Sequence, residues 1–421
     1  MSKEGRLTRV RFGWHKLRER NVAVLVFLVV SVGGLGIWLA GASFADVFSS
    51  MAETEDGTVA GPAEMTADNN ASNGHAVLFK AADSSDGDPG GGGTGGSGQT
   101  INVTTSVQLT AALAAANPGD TIHVADGNYT GSSRVGNYTG SFTMTKSGTA
   151  SQPITLTGSR NVMIDGDGLG GHYGLYIVGA SYWNITGISV TNATKGIVMD
   201  GGNHITLSSI RVFNIGQEGV HFRASSSDNV IKNSVVEQTG IKQAQYGEGV
   251  YIGSANSNWA TYSNGQPDKS DRNKVLNNTI GNTGAENIDI KEGSTDGVVD
   301  GNHFDGVHMK GENSADSWID VKGNNYTISN NIGVVSSSEG TVFNNGFELH
   351  QAVVGWGINN KFHNNSINLA NSTGGSVKTT GFGFYQQKGL TGNILSCDNN
   401  VQNAPQGFGV FNVTAQPCND Q

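Results

Sequence analysis

The sequence predicts an all-β solenoid in which short parallel strands stack coil upon coil, and three observations carry that expectation. The first is a repeated alternation of apolar and polar residues. It reads Gly219-Val220-His221-Phe222-Arg223, Gly249-Val250-Tyr251-Ile252-Gly253, Asn287-Ile288-Asp289-Ile290-Lys291, Trp318-Ile319-Asp320-Val321-Lys322 and Gly346-Phe347-Glu348-Leu349-His350. Strict alternation means a strand with one face buried and one face out. The second is the spacing of the outward position. It is read at Tyr176, Met199, His221, Tyr251, Asp289, Asp320, Glu348 and Tyr385, at intervals of 23, 22, 30, 38, 31, 28 and 37 residues. A basic coil with insertions of variable length is the signature of a solenoid. The third is a register of asparagines, Asn233, Asn278, Asn302, Asn331, Asn365 and Asn400, each placed at a turn after a short apolar strand. Asparagine tolerates the left-handed turn conformation, and its amide can stack as a ladder. The expected fold is a single-stranded parallel β-helix.

Composition agrees. The chain has 421 residues with Gly 62, Pro 7 and 8% aromatics, which suits short strands and tight turns. Formal net charge is −10. The first twenty residues hold seven Lys/Arg against Glu4 and Glu19, so the remainder carries −15. That balance excludes a nucleic-acid partner. It admits a polyanionic substrate only where a metal or local lysines compensate.

Taken in order, residues 1–21 are a basic segment and 22–41 an apolar one, with no charge between Val22 and Ala40. A run of this length can span a bilayer, and the basic flank keeps the N-terminus cytoplasmic. Ala40-Gly41-Ala42 also fits a cleavage site, so a signal peptide is the rival reading. The length favours a transmembrane anchor, and both readings export the rest of the chain, anchored or secreted. Residues 42–100, acidic and ending in the glycine run Gly90 to Gly98, read as a disordered linker. The β-helix domain is expected over 101–421. Ser106 to Ala116 predicts an amphipathic helix stopped by Asn117-Pro118-Gly119-Asp120, followed by the strand Thr121-Ile122-His123-Val124 and the turn Asp126-Gly127.

This opening, with Gly148-Thr149-Ala150-Ser151-Gln152-Pro153-Ile154-Thr155-Leu156, resembles the start of right-handed parallel β-helix proteins of the pectate-lyase-like (pectin lyase fold) superfamily. Within it, the chondroitinase B and alginate lyase type is the most similar. The resemblance implies a right-handed coil and a helix that caps its open end, a device against edge pairing. Ile288-Asp289-Ile290-Lys291-Glu292-Gly293-Ser294 resembles the Asp-Ile-Lys-x-Gly-Ser segment of pectate lyases, which implies that Asp289 binds calcium. That family's second acid, four residues earlier, is Ala285 here, with Glu286 one place on. The Trp-Ile-Asp-His signature upstream and the Gly-His-Gly of polygalacturonases are absent, while Trp318-Ile319-Asp320 lies downstream.

The outward columns are His221, Tyr251, Asp289, Asp320, Glu348 and Arg223, Gly253, Lys291, Lys322, His350. Stacked about 4.8 Å apart, they bring acids and bases of both signs onto one strip. Neighbouring lysines depress one another's pKa and carboxylates raise it. A solvated, self-neutralising charge strip is the bland alternative. Clustering on one sheet favours a site, with catalytic candidates Lys291, Lys322, Arg223, Asp289, Asp320, Glu348 and His350. Glu218, Glu248 and Glu286 each precede the outward residue by three positions. Glu248, Glu286 and Asp289 are the expected metal ligands, for Ca²⁺, which takes oxygen donors. Insertions at 254–273 and 305–316 are expected to wall the strip. His221, Tyr251, Trp259 and Trp318 are the candidate substrate-binding residues, and the aromatics could equally be packing.

The function expected is polysaccharide processing by a monomer outside the cytoplasm. β-Elimination on a uronate-containing chain needs a base, Lys291 or Lys322, and a neutraliser, Arg223 or Ca²⁺. The alternatives are a glycoside hydrolase using two of Asp289, Asp320 and Glu348, and a non-catalytic carbohydrate-binding adhesin. Cys397 and Cys418 can close a disulfide in an oxidising compartment. Dense sequons, among them Asn102, Asn128, Asn137, Asn184, Asn192, Asn277, Asn325, Asn364, Asn371 and Asn412, make the chain a glycoprotein in a host that uses them.

Overall fold

Three sheets of eleven, eleven and ten strands form the body of residues 98–411, their strands hydrogen-bonded in parallel to the equivalent strands of adjacent coils, save for one antiparallel hairpin strand, Ser133–Val135, at the edge of the first. The structure is a computed structural model, and it describes residues 63–67, 75–79, 98–338, 341–372, 379–385 and 392–411. Within the stretch read as linker, Ala63–Ala67 pairs antiparallel with His75–Phe79. The apolar run at 22–41 and Cys418 lie outside the described residues. Among those described, no helix is long and apolar enough to cross a membrane.

Helix α1 (Ser106–Ala115) starts where Thr105 accepts a hydrogen bond from the Gln108 amide, an N-cap that satisfies one orphan donor. Its Leu109, Ala112 and Leu113 are buried against the first coil, so it covers the open end as expected.

The first sheet carries the candidate residues. Its strands are β1 (Tyr138–Met144), β2 (Tyr173–Val178), β3 (Lys195–Asp200), β4 (Val220–Arg223), β5 (Val250–Ile252), β6 (Ile288–Ile290), β7 (Ile319–Val321), β8 (Asn345–His350), β9 (Thr380–Tyr385) and β10 (Gly409–Phe411). Inward residues Val220, Ile252, Ile290, Val321 and Leu349 join one continuous core. Burial of such side chains stabilises by about 1.5–3 kcal/mol each. The residue that begins the alternation is a glycine in coil after coil. A Cβ at Gly219 would stand 2.6 Å from the Gly249 carbonyl oxygen and 2.6 Å from Val236, closer than real contacts allow.

Register corrects two assignments. Tyr176 pairs with Val198, and Val198 with His221. Met199 pairs with Ile177 and Phe222 and belongs to the core. At the other end Glu348 pairs with Gly383, while Tyr385 pairs with His350.

The asparagine ladder is present, one residue displaced at both ends. Its members are Ser234, Asn278, Asn302, Asn331, Asn365 and Asn399, each accepting on its side-chain oxygen from a backbone amide of the preceding coil, and each but Asn399 donating its own amide N–H to the next member. Asn233 takes the left-handed turn conformation instead, at φ 52°. Asn302 donates to the Val275 carbonyl at 2.8 Å and to Asn331 Oδ1 at 2.9 Å, and accepts from the Asn278 amide at 2.9 Å. Asn302→Ala is expected to cost at least about 1–3 kcal/mol, since it orphans buried partners, and urea unfolding followed by hydrogen exchange at the Asn278 amide will read it.

Candidate functional site

Three outward columns run along the first sheet. The innermost contains Lys195, Glu218, Glu248 and Glu286, aligned by hydrogen bonds from the Gly196, Gly219 and Gly249 amides to the following coil. The middle column is Tyr176, Val198, His221, Tyr251, Asp289, Asp320 and Glu348. The outer column is Val178, Asp200, Arg223, Gly253, Lys291, Lys322, His350 and Tyr385.

The strip has two tiers. Asp289, Asp320 and Glu348 point outward yet are buried: the lysines fold over the two aspartates, and Asn345 and His350 lie against Glu348. Lys291 Nζ lies 2.5 Å from Asp289 Oδ2, and Lys322 Nζ bridges Asp289 Oδ1 at 3.0 Å and Asp320. His350 Nδ1 is 2.7 Å from Asp320 Oδ1, and its ring stacks on Tyr385. What faces solvent is the upper tier: Lys291, Lys322 and His350 have side-chain exposures of 15%, 14% and 29%. The six residues do share a strip, but the carboxylates do not face solvent as the alternation suggested.

Electrostatics follow from this geometry. Burial works against the charge on Lys291, but Asp289 and Glu286 outweigh it and hold the ammonium above the usual lysine range. The same opposition, won by Asp289 and Asp320, holds Lys322 protonated. Burial raises the Asp320 carboxyl, and Lys322 with His350 more than reverses it. Glu248 has no such partner: burial, then Glu218 and Asp289, push it up to about 8. Burial and Asp289 push Glu286 well above the carboxylate range, and burial with Asp316 and Asp320 does so for Glu348. The Tyr251 phenol is driven well above its ordinary value by burial and by Asp289.

Glu248, Glu286 and Asp289 bring one carboxylate oxygen each within 4.8 Å of one another. Glu248 Oε2 is buried and has no hydrogen-bond partner. An orphaned oxygen in an all-carboxylate set is what a hard cation satisfies, so these residues fit a metal. Asp320, Glu348 and His350 form a second such group.

Other expected residues fall elsewhere. Arg223 is 0% exposed and pairs with Asp200 through Nε and Nη2, the latter at 3.1 Å. It lies under the Tyr262 ring at 4.2 Å and the Tyr138 ring at 4.9 Å, so it cannot meet a substrate carboxylate. Trp318 is likewise fully buried, with Phe343 and Phe347 against its indole. It occupies core space left open by Gly333, whose Cβ would stand 2.4 Å from the ring. Neither residue belongs to a substrate surface. Trp259 donates its indole N–H to the Ser254 carbonyl at 3.0 Å and sits half-buried in the insertion. His221 is buried, its Nε2 against the Gly253 carbonyl at 3.0 Å and its ring edge-on to Tyr251 at 4.3 Å. Burial, offset by Glu218, holds its pKa below the usual value. Cys397 lies on the surface.

The 254–273 insertion is pinned by Asp268, which accepts from the Ala224 and Ser225 amides and from Ser254 and Ser270 hydroxyls. Asp305 starts the 305–316 insertion, accepting from the Val307 and Ser336 amides. Between 239–245 and 308–312, beside the innermost column, lies a depression of about 410 Å³ lined by Lys242, His308, Lys310 and Glu312.

Asp200, missed in the sequence reading, is legible once Val198 replaces Met199 in register. Asp200→Asn is expected to destabilise by about 3–5 kcal/mol, because it leaves Arg223 buried and unpaired; chemical unfolding checks it. Burial raises the Asp200 carboxyl but Arg223 outweighs it, so its pKa is depressed. The pair's contribution is present above the unfolded value of about 3.9 and is lost as pH falls through the folded one.

Comparison with known proteins agrees with this architecture. Residues 92–236 match the family described as Pel9A-like, right handed beta helix region. The chain is similar to an alginate lyase from Paenibacillus sp. str. FPU-7, at 39% identity and TM-score 0.61, over 74% of this chain and 99% of that one. It is also similar to pectate lyase Pel9A, at 17% identity and TM-score 0.41, over 74% and 78%. A third similar structure is a GH136 lacto-N-biosidase from Eubacterium ramulus, at 12% identity and TM-score 0.45, over 74% and 68%. No curated protein sequence matches. The nearly complete coverage of the Paenibacillus enzyme at 39% identity decides the matter: the chain belongs to the Pel9A-like right-handed β-helix family of polysaccharide lyases.

Proposed function

We propose that the protein cleaves a polyuronate of the alginate kind by β-elimination. One observation carries this reading: ammonium groups, a phenol kept protonated and a set of metal-fitting carboxylates converge at Tyr251, Lys291, Lys322 and Glu248–Glu286–Asp289. Similarity to an alginate lyase supports it.

In this scheme Lys322, held between Asp289 and Asp320, receives the substrate carboxylate. Lys291, whose Nζ lies 5.2 Å from the Tyr251 ring centroid, takes the proton beside that carboxylate in its neutral form. The C–H electron pair becomes a carbon–carbon double bond as the bond to the glycosidic oxygen breaks. Tyr251, held protonated, donates its proton to that oxygen. Glu248, Glu286 and Asp289 would hold a Ca²⁺ ion, whose positive charge would offset the acids that keep Lys291 protonated. Arg223 has no part, since it is buried under tyrosine. The glycosidase alternative is disfavoured by the burial of Asp289, Asp320 and Glu348, which keeps a leaving group from reaching them. The uncharged apolar run at 22–41, read as an anchor or signal, supports a location outside the cytoplasm for this chemistry.

The test is to incubate the full chain with alginate, pectate and a neutral glycan and follow ultraviolet absorbance of unsaturated uronate ends. Absorbance rising with a polyuronate and not with the neutral glycan is expected. Reducing ends that accumulate without absorbance would overturn the proposal.

A further inference from the structure

The upper tier ends abruptly toward the N-terminal coils. Beyond Tyr251 and Lys291, the middle-column residues of β4, β3 and β2 and the outer-column Arg223 are covered: His221, Arg223, Val198 and Tyr176 are all buried, while Asp200 and Val178 at the outer margin are half-buried. Two segments distant in sequence make the cover. One is the hairpin in which Ser133–Val135 pairs antiparallel with β1. The other is the short helix α2 (Trp259–Tyr262) of the insertion that Asp268 fixes to the Ala224 and Ser225 amides. They meet where the Tyr138 and Tyr262 hydroxyls lie 3.3 Å apart. Tyr138 also stacks on Tyr173 at 5.7 Å, and beneath them Tyr176 donates to Asp200 Oδ2 at 2.7 Å. The cover is therefore tied to the sheet by the Arg223 guanidinium against the Tyr138 and Tyr262 rings, by aromatic contacts, and by the Ala224 and Ser225 amides that donate to Asp268. Toward the C-terminal coils, by contrast, no described segment closes over the outer column: Lys291 and Lys322 stay partly exposed and His350 is twice as exposed.

We infer that the strip is a trough closed at one end, with the Tyr138–Tyr262 contact as its end wall, so that a glycan enters by a chain terminus. This rests on the proposed cleavage at Lys291 for the size of product. Lys291 stands on the rung of β6 and the wall over Arg223 on that of β4. Two rungs at about 4.8 Å each leave room for about two hexuronate residues between the scissile bond and the wall. Short products of one narrow size follow, released from one end of the chain.

Binding stoichiometry tests the wall without relying on turnover. Full-length Lys291→Ala, or the wild-type chain if it does not cleave, is titrated calorimetrically with size-fractionated mannuronate and guluronate oligomers and polymers. One protein bound per chain whatever its length is the expected result. A bulky fluorophore on one terminus should abolish binding, and on the other terminus leave it unchanged. Stoichiometry that grows in proportion to chain length overturns the inference, even where unsaturated products form. Constant stoichiometry together with no unsaturated product from the wild-type chain leaves the wall standing and removes the lyase reading, and no binding to any polyuronate overturns both. As a second line, Tyr138→Ala/Tyr262→Ala, checked for wild-type thermal unfolding, should let stoichiometry grow with length and broaden the product sizes.

Discussion

Lys291→Ala is expected to lower turnover of a polyuronate by about 10²- to 10⁴-fold, the usual loss on removing a general base. The fold should tolerate the change. Asp289 keeps Lys322 as its partner at 3.0 Å, so the carboxylate that Lys291 pairs with is not left without a counter-charge, and the substitution removes a side chain at the surface of the sheet. The readout is kcat on alginate beside the thermal unfolding midpoint. Unchanged kcat would remove Lys291 from the reaction. Lys322→Ala provides the contrast: it strips one partner from both Asp289 and Asp320 and should raise KM, since its role is to hold the substrate carboxylate.

Tyr251→Phe should produce a loss of similar size, about 10²- to 10⁴-fold in kcat, with KM nearly unchanged. The ring's edge-on contact with His221 at 4.3 Å survives the substitution, and only the hydroxyl is lost. Removing an interaction made only in the transition state lowers kcat and kcat/KM together. A change confined to KM would instead make Tyr251 a binding residue.

Much of this site was legible in the sequence because alternation is unambiguous where apolar and charged residues take turns. Val250-Tyr251-Ile252, Ile288-Asp289-Ile290 and Ile319-Asp320-Val321 each have one choice of buried face, and their register came out as observed. The failure at β3 has the same physical root. Ile197, Val198 and Met199 are all apolar, so pattern alone cannot decide which faces out; Val198 does, because the aromatic cover makes the outer face of that coil apolar too. Trp318 misled because its position is a glycine in other coils, and the space for the indole is opened by Gly333 on another sheet. Burial of the carboxylates depends on where lysine chains lie down, which strand periodicity does not encode. The end wall is the least legible of all, since Tyr138 and Tyr262 are 124 residues apart and meet only when insertion and hairpin fold over the same coils.

The most direct test of polyuronate β-elimination is the mass of the products released from a single oligouronate of defined length by the full chain. Elimination adds nothing to the substrate, so the fragment masses should sum to the mass of the starting oligomer, with one fragment carrying an unsaturated end. Fragments whose masses exceed the substrate by one water for each bond broken would show hydrolysis and contradict the account.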